Sequence, residues 1–327
     1  MPKEINRIGV LTSGGDAPGM NAAIRAVVRS AIYYDRKVFG IYRGYEGMIE
    51  GDIVEMNLRS VSRIIDKGGT IIKSARSAEF RTKEGRAKAF EKLQSVGIDG
   101  LVIIGGDGSF AGAKMLGEEY DIPVIGVPGT IDNDLYGTDV TIGYDTSTNV
   151  VIECIDKIRD TASSHNRLFF VEVMGRDTGF IALRAGISTG AIAVMMPEEE
   201  MSIEDLVKII DRGAKTRKTS SIVIVAEGEQ HGGAAEVARK VHELYNHYET
   251  KVTVLGHIQR GGSPTAFDRV LASRMGVKAV EAIIDGQSDV FTALSNGKMN
   301  LVPFTESFGK KSKLNDEIVR ISKILSI

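Results

Sequence analysis

Three glycines and an aspartate form a turn that could bind a phosphate together with a metal ion. The turn reads Gly105-Gly106-Asp107-Gly108 and is followed by Ser109. Glycines let the backbone approach a ligand closely, and the N-terminal amides of a following helix favour an anion. Asp107 would repel a phosphate directly, so its position indicates a Mg2+ ion between carboxylate and phosphate. The turn therefore predicts a site for a magnesium-bound phosphate.

A second turn, Thr130-Ile131-Asp132-Asn133-Asp134, supplies two carboxylates separated by one residue. One could accept a proton while the other supports the metal. Glycine and aspartate are also common in turns that bind nothing, and for either turn alone that explanation stays open. Two such turns close together in one unit favour catalysis.

Each of these turns follows an apolar run, Leu101–Ile104 and Pro123–Val127. Runs without alternation are typical of strands covered on both faces, and the stretch between them has room for one helix. We therefore predict a βαβ unit. The carboxyl ends of its strands should meet at one edge, which is where open α/β sheets bind ligands.

A third strand, Ile8–Leu11, also runs into a glycine-rich turn, Thr12–Gly19, and then a helix. The turn lacks the Gly-Lys-Ser/Thr of a Walker loop, and its spacing does not match the dinucleotide fingerprint. The pattern predicts a phosphate cradle of a different design.

Cationic side chains follow several predicted strands in the second half of the chain. Arg176 comes after the strand Leu168–Val173, and His257 and Arg260 flank the end of the strand Lys251–Leu255. Arginine and histidine at the carboxyl ends of strands are typical of phosphate clamps.

Cations in the first half are less specific. Arg25 and Arg29 share one helix face, which is either a solvated basic stripe or an anion site. Arg76 follows a short predicted strand and could reach a phosphate, although a lone arginine is more often a surface residue. A helix is predicted over Val61–Asp66.

The whole chain has 327 residues, 43% hydrophobic composition and a net charge of -2. This length suits two domains, and alternating strand and helix signals predict α/β folds in both. The charge argues against nucleic acid as the main partner. One cysteine, Cys154, indicates a reducing compartment, and no apolar run has the length of a signal peptide or membrane span, so we expect a cytoplasmic protein.

Six motifs together resemble those of the bacterial ATP-dependent 6-phosphofructokinases: TSGGDAPGMNAAIR, IGGDGS, PGTIDND, EVMGR, VAEG and GHIQRGGSP. The resemblance runs in order from Ile8 to about Ile284. It implies two three-layer α/β/α domains with largely parallel sheets, the phosphofructokinase fold. Residues 1–143 plus about 258–308 would bind ATP, and residues 144–257 plus about 309–327 would bind the sugar phosphate.

The resemblance implies transfer of the γ-phosphoryl group of MgATP to the 1-hydroxyl of fructose 6-phosphate, the committed step of glycolysis, by a homotetramer. Asp132 matches the family's base, while Thr130, Arg176 and the Gly15 amide would stabilise the transferring group. The implied ATP-binding residues are Gly15, Arg76, Ser77, Gly106, Asp107, Gly108 and Ser109, with Asp107 holding Mg2+. The implied sugar-binding residues are Thr130, Ile131, Asp132, Arg167, Met174, Gly175, Arg176, Glu227, Lys251, His257 and Arg260.

Small residues decide the phosphoryl donor within the family. Relatives that use pyrophosphate carry aspartate and lysine where this chain has Gly108 and Gly129, which predicts ATP here. Lys251 stands where relatives have an arginine that, like Arg167, reaches the sugar phosphate of a neighbouring subunit. We expect weaker sugar-phosphate affinity, because lysine lacks the planar two-pronged donor.

The resemblance also implies an effector site for ADP or GDP, which activate, and for phosphoenolpyruvate, which inhibits. The matching residues are Arg25, Arg29, Arg63, Arg159 and Lys218. Ile192, however, replaces a glutamate that holds the effector's magnesium, and Arg63 replaces an acidic residue. We therefore predict weak or altered effector control.

Three alternatives remain. A pyrophosphate-dependent enzyme is opposed by the two glycines, and a lipid or NAD kinase is opposed by PGTIDND and GHIQRGGSP. A catalytically silent subunit that only binds sugar phosphate or nucleotide is opposed by Asp107, Asp132 and Arg176, which such a subunit would not need.

Overall fold

The computed structural model describes residues 4–163, 167–215 and 221–326. The chain forms two compact units. The first comprises residues 1–131, 135–146 and 260–312, and the second comprises residues 132–134, 147–259 and 313–327. Which ligand each unit binds stays a prediction.

The strands and helices follow one another in alternation. The first stretch of the chain forms β1 (Arg7–Thr12), α1 (Met20–Tyr33), β2 (Lys37–Ile41), α2 (Gly44–Glu50), β3 (Ile53–Met56), α3 (Lys83–Val96), β4 (Gly100–Gly105), α4 (Asp107–Tyr120) and β5 (Val124–Pro128). The middle forms α5 (Tyr144–Ser163), β6 (Arg167–Val173), α6 (Phe180–Thr189), β7 (Ala193–Met195), α7 (Ile203–Lys215), β8 (Ser221–Ala226), α8 (Gly233–Leu244) and β9 (Glu249–Val254). The last stretch forms α9 (Ala266–Ile284), β10 (Val290–Ser295), β11 (Lys298–Pro303), α10 (Phe304–Ser307) and α11 (Asp316–Leu325). Two short 3-10 helices lie at Glu79–Arg81 and Gly256–Arg260.

The first unit is built on a seven-stranded sheet in the order β11-β10-β5-β4-β1-β2-β3. Its five central strands are parallel, and the edge strands β3 and β11 are antiparallel to their neighbours. The predicted βαβ unit is confirmed, since β4 and β5 pair in parallel and α4 connects them. The carboxyl ends of β1, β4 and β5 consequently lie at one edge.

Helices cover both faces of this sheet, which explains why its central strands are apolar throughout. On one face Leu101 and Ile103 of β4 pack in a buried cluster with Met48 of α2, Leu93 of α3 and Phe110 of α4. On the other face α9 packs against α1.

The second unit has a four-stranded parallel sheet in the order β7-β8-β6-β9. Its core joins Phe170 of β6 and Val223 of β8 to Leu206 and Ile210 of α7 and Val237 of α8. Mixed α/β architecture with largely parallel sheets was predicted and is confirmed.

Two local predictions had opposite outcomes. The hairpin signal Ser295–Lys298 is confirmed, because Asn296 and Gly297 adopt φ of 50° and 77° and join β10 to β11. The helix predicted over Val61–Asp66 is wrong. These residues form turns. Arg63 adopts a left-handed φ of 55°, which interrupts a helix even though the spacing of the buried Val61 and Ile64 is compatible with one.

Within the described residues, no helix combines the length and the apolar character that a membrane span requires.

Candidate active site

Three turns of the first unit are joined by backbone hydrogen bonds. The Ser13 N–H donates to the Ile104 carbonyl at 2.9 Å, and the Gly129 N–H donates to the Gly105 carbonyl at 2.9 Å. These bonds continue the parallel ladders β1–β4 and β4–β5 past the strand ends. The three turns predicted to bind phosphate and to carry catalysis therefore form one surface.

The glycines of the β4–α4 turn serve different purposes. A Cβ on Gly105 would lie 2.6 Å from the Ser13 carbonyl oxygen, so this glycine allows two backbones to approach. A Cβ on Gly106 would come no closer than 4.0 Å to Thr130, and one on Gly108 would have no contact within 4 Å among the described residues. Gly106 and Gly108 thus leave open space that a ligand can occupy.

In the absence of a ligand, Gly108 is unfavourable for the stability of α4. Glycine in a helix costs up to about 1 kcal/mol relative to alanine, yet Gly108 lies in the first turn of α4 without steric need. Gly129 differs, because its Cβ would lie 3.1 Å from both Ile104 and Met20. Gly129 therefore has little free space around it, whereas Gly108 leaves room for a phosphoryl donor.

Asp107 begins α4 and its carboxylate is exposed. The Ser307 hydroxyl donates to Asp107 Oδ1 at 3.4 Å. No cluster of three or more His, Cys, Asp or Glu side chains able to hold a metal occurs among the residues the structure describes. One exposed carboxylate beside an open glycine turn fits a Mg2+ that is bound chiefly by nucleotide phosphates and water.

Arg260 lies over the turn that follows β1. Its Nη1 donates to the Asp16 carbonyl at 3.2 Å, and a Cβ on Gly15 would lie 2.6 Å from the same nitrogen. The structure thus places this predicted sugar-phosphate ligand against the predicted nucleotide turn.

The loop that carries Arg76 is anchored by Asn21, which sequence reasoning missed. The buried Asn21 amide donates to the carbonyls of Lys67 and Gly68, each at 3.0 Å, and its Oδ1 accepts from the Ile71 N–H at 2.8 Å. Three hydrogen bonds from one buried side chain fix the loop. Arg76 itself is exposed.

Ser77 has a structural contact of its own. Its hydroxyl accepts from the Phe80 N–H at 3.1 Å at the start of the 3-10 helix Glu79–Arg81. Phe80 stacks on Tyr45 at 3.9 Å between ring centroids, and the Tyr45 hydroxyl donates to the Ser109 carbonyl at 2.5 Å. Burial raises the pKa of Tyr45, so it remains a neutral donor. These aromatics support the α4 turn.

The segment Thr130–Asp134 is largely buried, with Thr130 9%, Ile131 0% and Asp132 8% exposed. Asn133 adopts a left-handed φ of 53°. A non-glycine residue in that region costs energy and is common in functional sites.

In the second unit, the structure brings Arg176 and Glu227 together. The Arg176 N–H donates to Glu227 Oε1 at 2.7 Å, and Arg176 has a left-handed φ of 58°. A Cβ on Gly228 would lie 2.0 Å from the Arg176 carbonyl oxygen, so glycine is required there. The Arg176 backbone is therefore held in a strained conformation at the ends of β6 and β8.

Two buried polar residues complete these turns, and neither was singled out from the sequence. The Thr178 hydroxyl donates to the Gly175 carbonyl at 2.9 Å and to the Asp132 carbonyl at 3.3 Å. Gln259 is fully buried, accepts from the Met174 N–H at 3.1 Å and donates to the Gly256 carbonyl at 3.1 Å. Gln259 joins the end of β6 to the 3-10 helix that exposes His257.

Arg167 and Lys251 lie on paired strands and share one carboxylate. Arg167 Nε and Lys251 Nζ lie 2.7 Å and 2.6 Å from the two oxygens of Glu249. The two cations, Lys251 more strongly, lower the pKa of Glu249 to about 2. Arg167 and Lys251, both predicted to bind phosphate, are therefore clustered around the carboxylate of Glu249.

The effector residues are distributed over both units. Arg25, Arg29 and Arg63 belong to the first unit, Arg159 belongs to the second and donates to the Thr189 carbonyl, and Lys218 lies outside the described residues. Ile192 is buried in the core of the second unit, only 3% exposed.

The family model described as phosphofructokinase matches residues 7–283. The chain belongs to the phosphofructokinase family. The resemblance drawn from the motifs is thereby confirmed, and so is the fold class.

Curated relatives extend this result over nearly the whole chain. The chain is 54% identical to an ATP-dependent 6-phosphofructokinase 2 of Bacteroides thetaiotaomicron over 98% of both chains. It is 54% identical to ATP-dependent 6-phosphofructokinase 1 of Thermus thermophilus, over 99% of this chain and 100% of the relative.

Solved structures agree in fold. Phosphofructokinase from Saccharomyces cerevisiae superposes with a TM-score of 0.89 at 39% identity, covering 92% of this chain and 45% of the yeast chain. A pyrophosphate-dependent phosphofructokinase from Marinobacter aquaeolei superposes at 0.85 with 22% identity over 96% of this chain and 86% of that chain, which shows the fold alone.

The different roles of Gly108 and Gly129 can be tested by experiment. We expect Gly108→Ala to raise the free energy of unfolding by up to about 1 kcal/mol and to weaken MgATP affinity, because its methyl group enters ligand space. We expect Gly129→Ala to lower the free energy of unfolding by about 1–3 kcal/mol through overpacking against Ile104 and Met20. Denaturant titration and nucleotide binding measure both effects. Unchanged MgATP affinity in Gly108→Ala would contradict the assignment of that space.

Proposed function

We propose that the first unit binds MgATP, that the second binds fructose 6-phosphate, and that the segment Thr130–Asp132 carries the phosphoryl transfer. The chain catalyses the ATP-dependent phosphorylation of the 1-hydroxyl of fructose 6-phosphate, which gives fructose 1,6-bisphosphate and ADP. The observation that carries this function is 54% identity, over 98% of both chains, to an ATP-dependent 6-phosphofructokinase.

On the nucleotide side, the amides of Gly15, Gly106 and Gly108 bind phosphate oxygens, and Arg76, Ser77 and Ser109 add side-chain donors. Support comes from the empty space beside Gly106 and Gly108 and from their place at the N-terminus of a 14-residue helix. Asp107 would hold Mg2+ through its exposed carboxylate. When bound, Mg2+ offsets negative charge on the phosphates and on the transferring group.

On the sugar side, Glu227 accepts hydrogen bonds from sugar hydroxyls, Met174 and Gly175 form the wall beside it, and Arg176 reaches the transferring phosphoryl group. The hydrogen bond from Arg176 N–H to Glu227 supports this assignment because it fixes one residue relative to the other. His257 and Arg260 bind the 6-phosphate. Gln259 supports His257 through its hydrogen bond to the Gly256 carbonyl.

Asp132 orients the 1-hydroxyl and accepts its proton. A free aspartate is a weak base towards an alcohol, because its reference pKa is about 3.9, but in a loose transition state the hydroxyl becomes acidic late. Asp132 therefore acts mainly by position until the O–P bond forms. Thr130, Arg176 and the Gly15 amide stabilise the charge on the phosphoryl oxygens, which supplies most of the rate enhancement in such enzymes.

We expect Asp132→Asn to lower kcat by about a thousandfold with little change in KM, because the amide can orient the hydroxyl but cannot accept its proton. The measurement is a coupled assay of fructose 1,6-bisphosphate formation with MgATP and, separately, with magnesium pyrophosphate. Asp205→Asn, at an exposed carboxylate that pairs with Lys208, is the matched control.

The same assay decides among the alternatives. Turnover of the native protein with pyrophosphate would overturn the assignment of ATP as donor. No turnover with either donor would favour a subunit that binds its ligands without catalysis.

Arg167 and Lys251 are proposed to bind the 6-phosphate of a neighbouring subunit in a homotetramer. Their arrangement around Glu249 supports this, because two cations facing one carboxylate leave an excess positive charge for a phosphate. Since the pKa of Glu249 is lowered to about 2, the ion pairs stabilise the fold above its ordinary pKa and are lost as the pH falls towards about 2.

We expect Lys251→Arg to lower the half-saturation concentration for fructose 6-phosphate by up to about tenfold, since arginine offers two parallel donors to a phosphate. Initial rates at saturating MgATP measure this, and Lys208→Arg, in an exposed ion pair with Asp205, is the matched control. No gain from Lys251→Arg would contradict the proposed contact.

Effector control is proposed to be weak. Ile192 occupies a buried position in the core of the second unit, where it provides no ligand for an effector-bound metal.

The protein is further proposed to act in the cytoplasm, in line with glycolytic chemistry.

We expect ADP and phosphoenolpyruvate each to shift the half-saturation for fructose 6-phosphate by less than about fivefold, below the usual range of allosteric coupling. Titration of each effector at subsaturating fructose 6-phosphate measures the shift. A tenfold or larger shift would show that effector binding does not need a carboxylate at position 192.

A further inference from the structure

Residues 141–142 hold the proposed catalytic turn by hydrogen bonds to both backbone groups of Thr130. The Thr130 N–H donates to the Ile142 carbonyl at 3.1 Å, and the Ile142 N–H donates to the Pro128 carbonyl at 3.0 Å. The buried Thr141 hydroxyl donates to the Thr130 carbonyl at 2.7 Å. Thr130 therefore takes its position from residues 141–142.

The same segment also supports the turn that follows β1. Gly143 has φ 102°, and a Cβ there would lie 2.7 Å from Ala17 and 3.3 Å from Ile131. A Cβ on Gly19 would lie 2.6 Å from Ile142. Residues 142–143 are thus in close contact with both the nucleotide turn and the catalytic turn.

One carboxylate holds this segment from behind. Asp268, in the first turn of α9, is 0% exposed. Its Oδ1 accepts from the Gly143 N–H at 2.9 Å, and its Oδ2 accepts from the Thr146 N–H at 2.8 Å and from the Thr146 hydroxyl at 2.5 Å. The Thr146 hydroxyl in turn accepts from the Thr265 N–H at 3.0 Å.

Burial of the ionised Asp268 carboxylate has an energetic cost. Burial raises the pKa of Asp268 above its ordinary range, although the hydrogen bonds from Thr146 and Gly143 act in the opposite direction. A raised pKa in the folded state means that stability from this group is lost as the pH rises through it, so the ionised form carries a cost.

Two features make the carboxylate specific to its task. Three donors converge on two oxygens, which an amide cannot satisfy because its nitrogen would face an N–H. The charge also lies beside the N-terminal amides of α9, where a negative charge is favoured. These hydrogen bonds and the helix N-terminus thus offset the cost of burying the Asp268 carboxylate, which fixes the turn from Gly143 to Thr146.

We propose that Asp268 is a positioning residue for phosphoryl transfer, which through Gly143 and Thr146 sets the location of Thr130 and of the turn at Ala17. It does not contact substrate. The proposal rests on the function assigned above to the Thr130–Asp132 segment. Displacement of a reacting group by about 1 Å can cost about a hundredfold in rate, so a shift of this turn should appear in kcat.

The test compares Asp268→Asn, Thr146→Val and Thr146→Ser in the full-length protein. We expect Asp268→Asn to lower kcat by about ten- to a hundredfold at saturating MgATP and fructose 6-phosphate, with both KM values within about threefold. Thr146→Val, which removes the hydroxyl that donates to Asp268 and accepts from the Thr265 N–H, should lower kcat in the same direction. Thr146→Ser keeps the hydroxyl and should therefore retain the native kcat.

Amide hydrogen exchange gives a readout that does not depend on activity. The Thr130 amide, which Asp268 does not touch, should exchange at least tenfold faster in Asp268→Asn, while the Val223 amide in β8 should not change. If Asp268→Asn does not fold, the same comparison of Thr146→Val with Thr146→Ser decides.

Unchanged kcat and unchanged Thr130 exchange in the folded variants would overturn the proposal, as would equal losses in Thr146→Ser and Thr146→Val. Native protein without turnover, or full turnover in Asp132→Asn, would instead contradict the proposed function, and the exchange measurement would still decide the role of Asp268.

Discussion

Parallel pairing of β4 with β1 on one side and β5 on the other is the constraint on which the proposed nucleotide-binding turns depend. Because the strands run in the same direction, their carboxyl ends and the turns after them fall at one edge. The bonds from Ser13 to Ile104 and from Gly129 to Gly105 then lock the turns to each other. The close approach at Gly105 is possible only without a side chain.

Around that edge, buried polar side chains hold the loops through hydrogen bonds to the backbone. Asn21 bonds three backbone groups of the loop leading to Arg76, and Asp268 bonds three donors of the Gly143–Thr146 turn. Buried polar groups are costly unless satisfied, so each one specifies a single loop conformation. Such precision suits phosphoryl transfer, in which the protein contributes mainly position and charge.

The second unit applies the same rule with different residues. Turns after β6 and β8 meet where the Arg176 N–H bonds Glu227, and Gly228 makes room for the Arg176 backbone. Arg176 and Asn133 both adopt left-handed φ, and such strain persists only when surrounding contacts enforce it. Thr178 and Gln259 supply those contacts from buried positions.

The sequence by itself determined the α/β class, the βαβ unit, the hairpin at Asn296-Gly297 and the family, because apolar periodicity, turn chemistry and long motifs are local signals. It also indicated Asp107, Asp132 and Arg176, whose charges stand out among glycines. Only the tertiary structure decided which glycines face open space, since Gly108 and Gly129 look alike until their neighbours are known. It alone revealed Asn21, Thr178, Gln259 and Asp268, because their partners lie far away in the chain or are backbone atoms, and hydrogen bonds of that kind leave no pattern in a sequence.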